Sequence, residues 1–207
     1  MPQHQMSLSH LAYRQLEQMI VTLKLLPGST ITERELILMA GYGRTPVREA
    51  IQKLQWQGLI EVRPRVGLRI SRIHPEHHQQ IMMVRAELEP LAASLAARHA
   101  TADQRTTLDE CADAMENASR LGDLDAFLSA DKYFDEVLES ACPNGFLISA
   151  LQPLQTHSRR IWYAGATVDK LHVAAAMHIA VIRAVKSRDH AQAQETMRAL
   201  IGHIRQS

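Results

Sequence analysis

Disulfide chemistry is all but missing from this sequence, because its 207 residues include two cysteines, Cys111 and Cys142. They are distant from each other and lack the short spacing of metal ligands. That excludes a disulfide framework or a zinc ribbon and points to buried thiols in a reduced compartment. Long apolar runs are missing too. The opening MPQHQMSLSH has no hydrophobic segment of a secretory signal, and the most apolar later stretch, residues 171–185, is interrupted by His172, His178 and Arg183. No membrane span is expected, and a cytoplasmic protein is. Nor is there an internal repeat, a low-complexity tail, a phosphate-binding glycine loop, or a nucleophile beside an oriented base. The last two absences argue against an enzyme.

Net charge is nearly absent as well, at +1, but its two halves are unequal. Residues 1–75 carry ten Lys/Arg against five Asp/Glu, whereas residues 76–207 carry thirteen against seventeen. A basic first third joined to an acidic remainder suits a polyanion-binding module attached to a part that leaves the polyanion alone. The content of 46 % hydrophobic residues is that of a globular chain large enough for two modest domains.

What is present begins with TERELILMAGYGRTPVREAIQKLQWQG, residues 32–58. Thr32 and Glu35 form a capping box that starts a helix. Gly41 and Gly43 permit the backbone to stop it, and Thr45 with Pro46 is expected to cap and open a second helix. On that second helix Val47, Ala50, Ile51 and Leu54 repeat at i, i+3, i+4, i+7 and predict a buried stripe, leaving Arg44, Thr45, Arg48 and Gln52 to solvent. Two short helices meeting at a tight turn predict a helix-turn-helix. Before it, an amphipathic helix is expected over about residues 8–25, ended by Pro27 and Gly28. After it, short β-like runs at 59–62 and 68–71 flank Arg63-Pro64-Arg65-Val66-Gly67 and predict a two-stranded wing whose basic turn can follow a phosphate backbone.

Residues 72–75 read as a hinge between a DNA-binding domain at 1–71 and an all-helical domain at 76–207. Six helices account for the second part, over about 76–100, 101–122, 123–141, from the Pro143-Asn144-Gly145 break to 164, 168–187, and from a cap at Asp189 with Gln192 to the end. The fold expected is mainly α: an N-terminal winged helix-turn-helix with a two-stranded wing, then an antiparallel bundle of about six helices.

On the residues RTPVREAIQKLQWQGLI the chain resembles the DNA-binding signature of the GntR family of bacterial transcription regulators. That resemblance implies operator contacts by Arg34, Arg44, Thr45 and Arg48, and by the wing at Arg65 and Gly67. Gly43 departs from it, since a serine commonly precedes the Arg-Thr pair. Arginine offers two parallel donors to guanine O6 and N7, so Arg44 and Arg48 suit base reading, while Arg34 and the wing arginines suit phosphates.

The helical part resembles the ligand-binding FCD domain of the FadR-like branch, through VRAELEPLAASLAA, DAFLSADKYFDEVL and HIAVIRAVKSRDHAQAQETM. In many such domains an aspartate, a histidine four residues later and two late histidines hold a divalent metal against which a small carboxylate effector sits. Here Asp131 and His178 match, but Asp135 replaces one histidine and Leu200 the other, with His203 one turn further on. The resemblance therefore implies a possible Zn, Ni or Mn site from Asp131, Asp135, His178 and His203. Physically, Asp131 and Asp135 share an otherwise apolar face with Phe127, Phe134 and Leu138, and buried carboxylates need a metal, an arginine or a proton as partner. His178, on a stripe with Val181, Ile182 and Val185, serves equally as a hydrogen-bonded core residue. Arg85, Arg159 and Arg160 are the candidates for an acidic effector. For Arg85 a bridge to Glu89 is an equally good account, and for Arg159 and Arg160 solvent exposure is the default expectation.

The reading is a homodimeric, effector-responsive transcription regulator that binds double-stranded operator DNA, most readily as a repressor. A helical metal-dependent enzyme or carrier, and a ligand-blind architectural DNA-binding protein, are its rivals.

Overall fold

The computed structural model describes residues 6–63 and 65–206. The chain divides into two compact units, residues 1–74 and 75–207.

In the first unit, helix α1 (Leu8–Val21) starts at a Ser7 cap whose hydroxyl accepts from the His10 amide at 3.2 Å. It stops short of the expected residue 25. Leu23 takes a left-handed φ of 57°, which ends the helical ladder before Pro27 is reached. A two-residue strand β1 (Thr30–Ile31) follows, then α2 (Glu33–Ala40) and α3 (Arg44–Trp56). The capping box is formed in full: Glu35 N donates to Thr32 Oγ1 at 3.2 Å, and Thr32 N donates to Glu35 Oε2 at 2.7 Å. Gly41, at φ 70°, supplies the left-handed C-cap.

The expected cap at Thr45 is corrected. Gly43 holds the N-cap position without a side-chain bond, and α3 already begins at Arg44. The helix can start early because Pro46 then falls in the first turn, where its missing N–H has no intrahelical partner to lose.

Strands β2 (Ile60–Arg63) and β3 (Gly67–Ile70) pair antiparallel, with Val62 opposite Leu68 and Arg63 opposite Gly67. Between them, Pro64 of the wing turn lies outside the described residues. The sheet has a third strand that sequence did not suggest, since β1 adds to β3 with Ile31 opposite Leu68, giving the order β1-β3-β2. Two residues are too few to show an alternating pattern. Val47, Ala50, Ile51 and Leu54 of α3 are buried as their spacing predicts, against Leu16 and Ile20 of α1, Leu36 of α2, Leu59 just before β2, and Ile70 of β3.

The second unit is α4 (Pro75–His99), α5 (Ala102–Leu121), α6 (Leu124–Ala141), α7 (Gly145–Ala164), α8 (Val168–Lys186) and α9 (His190–Gln206). Each boundary has a local cause. Thr101 and Gln104 form the second capping box, and Gly122 closes α5 at φ 68°. Asp123, Asn144 and Asp189 accept from the amides of Ala126, Leu147 and Gln192 at 2.9, 3.1 and 2.9 Å, opening α6, α7 and α9. Helix α4 packs on α9 and α7, while α5 packs on α6 and α8. Cys111 and Cys142 are buried free thiols. Among the described residues no helix is long and apolar enough to cross a membrane.

Candidate functional site

The DNA-facing candidates gather on the first unit. Arg44, Thr45, Arg48 and Gln52 are all exposed on α3, on the side opposite its buried stripe, and Arg34 is exposed on α2. Arg48 is not simply solvated. Its Nε donates to Glu33 Oε1 at 2.8 Å. Glu33 thus holds the guanidinium by one corner, through Nε. Sequence reading missed Glu33 because the pair spans two helices at a separation of 15 residues. Neighbouring Glu49 accepts from Ser9 Oγ on α1.

On the wing, Arg65 is exposed and takes a left-handed φ of 65°. Gly67 has φ 116°, and a Cβ there would stand 3.2 Å from the Ile31 carbonyl oxygen. Its glycine is therefore required by the close approach of β1, whatever else it contacts.

The second candidate is a cavity inside the helical unit. It is partly open, with a free volume of about 30 Å³. That is room for roughly two waters. Phe127, Leu128, Trp162, Ala174 and Ile204 make apolar wall, and Arg85, Asp131, Asp135, Gln155, Ser158, Arg159 and His178 make polar wall. Leu147, Leu151, Gln155, Ser158 and Trp162 recur at helical spacing on α7. That stripe was present in the sequence, but its polar members hid it.

Charge in this cavity is paired internally. Arg159 Nε donates to Asp131 Oδ2 and its Nη2 to Asp135 Oδ2, both at 2.8 Å. Asp131 Oδ1 faces His178 Nε2 at 2.8 Å, and His178 Nδ1 lies 2.7 Å from the Ala174 carbonyl. Phe127 and Phe134 hold the imidazole by edge contacts, each at 5.6 Å between centroids. Arg85 meets Glu89 through Nε at 2.6 Å and Nη2 at 3.1 Å, and its Nη1 donates to Ser158.

The surroundings push the two aspartates in opposite directions. Burial raises both, but for Asp131 the hydrogen bond from His178 and the charge of Arg159 prevail and bring it down to about 2. For Asp135 burial prevails over the charge of Arg159, reinforced by the charge of Asp131, and holds its carboxyl well above the ordinary range.

Three expectations are corrected here. Arg159 is mostly covered rather than exposed, its side chain 11 % accessible, because α7 turns it into the acidic face of α6. Arg160 is also buried, at 1 % exposure, and burial brings its pKa down to about 10. One helical residue further round, it does not line the cavity. His203 does not line it either, where Ile204 does.

The implied metal set is thereby incomplete. Asp131, Asp135 and His178 line one cavity, but the guanidinium of Arg159 bonds both carboxylates. Among the described residues no three His, Cys, Asp or Glu side chains group so as to hold a metal ion. These residues do not fit a divalent cation.

Comparison with known proteins agrees with the two units. Residues 8–70 match the family described as bacterial regulatory proteins, gntR family, and residues 80–203 match the FCD domain. An HTH-type transcriptional regulator in an unstable DNA locus of Streptomyces ambofaciens is 30% identical over 200 residues, covering 93% of this chain and 80% of that protein. The HTH-type transcriptional repressor RspR of Escherichia coli (strain K12) is 26% identical over 196 residues, covering 94% of this chain and 86% of RspR. Among solved structures, E. coli McbR/YncC shares the fold at a TM-score of 0.81 and 19% identity, over 96% of this chain and 95% of that one.

Proposed function

The chain belongs to the GntR family of DNA-binding transcription regulators, with an FCD domain behind its helix-turn-helix, and from that premise we propose an effector-responsive repressor. Its relatives are regulators rather than enzymes. In this reading it binds a palindromic operator as a homodimer, with two α3 helices one DNA turn, roughly 34 Å, apart. Met83, Val84 and Leu91 of α4 are exposed apolar residues that a second copy would cover.

The observation that carries effector control is the cavity, where the guanidiniums of Arg85 and Arg159 meet an aromatic wall. Small organic acids suit that chemistry, because the bonds to the aspartates use only two of the five N–H donors of Arg159. An effector switches the protein only if it binds the DNA-competent and DNA-incompetent arrangements unequally.

Base reading falls to Arg44 and Arg48, and phosphate contact to Arg34, Thr45 and the wing at Arg65. Selection of DNA from a random pool, followed by anisotropy at fixed salt, tests this assignment. Arg48→Ala should cost about 1–3 kcal/mol on the selected operator and little on scrambled DNA. Equal losses on both would remove the base-reading role. A metabolite panel then tests release. Insensitivity to every compound would favour the ligand-blind architectural reading, which the small free space of the cavity also suits.

A further inference from the structure

We propose that Arg159 is the resident cation at the centre of the helical unit, covalently built in where a divalent ion would otherwise neutralise Asp131 and Asp135. Asp131 and Asp135, one turn apart on α6, and His178 on α8 are oxygen and nitrogen ligands of the kinds that Zn, Ni or Mn accept. All three line the same cavity. A fourth side chain already holds two of them, since both carboxylates point an oxygen at the Arg159 guanidinium at 2.8 Å. Asp131 spends its other oxygen on His178, also at 2.8 Å.

A metal ion entering this cluster would stand next to a fixed positive charge, and it would have to break two charge-assisted hydrogen bonds to reach its ligands. The guanidinium also does structurally what a metal does. It ties α7 to α6, and through Asp131 to His178 of α8, so three helices meet on one cation. An acidic effector that enters this cavity would meet a guanidinium in place of a metal, and its binding would be indifferent to chelators.

A single charge removal should therefore expose a latent metal site. The test is calorimetric titration of full-length, metal-stripped protein with Mn²⁺, Ni²⁺ and Zn²⁺, comparing wild type, Arg159→Ala, and Arg159→Ala combined with Asp135→Asn. Thermal unfolding with and without each metal supplies a second readout. Arg159→Ala should take up one ion per chain, on the order of a hundredfold or more tighter than wild type. Its melting temperature should rise on metal addition, and the double variant should lose both effects.

Asp135→Asn alone, titrated alongside, should behave like wild type. The proposal is overturned if wild type binds one ion per chain that Asp135→Asn abolishes. It is overturned equally if Arg159→Ala, folded by circular dichroism, gains nothing. Should the alanine variant fail to fold, Arg159→Gln, which keeps a donor but no charge, replaces it in the same comparison, and the wild-type measurement stands independently of either.

Discussion

Asp131 and Asp135 lie one turn apart on the same buried face, yet folding asks opposite things of them. Asp131, brought down to about 2, stabilises the fold at pH values above the ordinary carboxylate range, and that contribution fades as pH falls toward 2. Asp135, held well above that range, does the reverse: its contribution is complete in acid and is lost as pH rises through its elevated value. Denaturant unfolding near neutral pH should show Asp131→Asn destabilised by roughly 3 kcal/mol, because it strands Arg159 and His178. Asp135→Asn should match wild type or exceed it, since its amide oxygen still accepts from Arg159 and burial already disfavours a charge at this position. Equal losses in both variants would show that the surroundings do not separate the two groups in this way.

At the scale of elements, the wing is held by a strand of two residues. β1 adds to β3 only because Gly67 lets the chain pass the Ile31 carbonyl, so the turn, the strand and the sheet depend on one position. Gly67→Ala meets both a φ of 116° and a contact at 3.2 Å, and should lower the stability of the first unit by about 1–3 kcal/mol. Gly41→Ala meets a φ of 70° but nothing within 4 Å, and should cost about 1 kcal/mol. Thermal melts of the two variants decide this, and a smaller loss for Gly67→Ala would mean that β1 gives way without cost. Helix α3 illustrates the contrast between pattern and pairing. Its buried stripe followed directly from spacing, whereas the bond from Arg48 to Glu33 depends on how two helices meet.

At the scale of the whole molecule, the uneven charge of the sequence maps onto the two units, with the excess of Lys/Arg on the one that carries α3 and the wing. If the regulator acts as a two-fold dimer, affinity depends on the phase between half-sites as well as on their sequence. Inserting about half a helical turn, roughly 5 base pairs, between the halves of a selected operator should weaken binding far more than mutating one outer base pair. Gel-shift titration checks this. A single half-site bound as tightly as the palindrome would count against paired reading heads.

Sequence alone determined the parts whose causes are local. The capping boxes at Thr32 and Thr101, the glycine stops at Gly41 and Gly122, and the stripe from Val47 to Leu54 each involve residues within a turn or two, so spacing was enough to read them. The same holds for the burial of Asp131, Asp135 and His178, whose apolar neighbours on their own helices announced it. Tertiary structure decided who answers those buried charges. Arg159 lies 24 and 28 residues from its two aspartates, and its partners follow from how α7 packs against α6. Adjacent Arg160 reads the same in one dimension and turns elsewhere in three, because one helical residue is a rotation of about 100°. Periodicity reports which face of a helix is buried, but not which side chain of another helix arrives there.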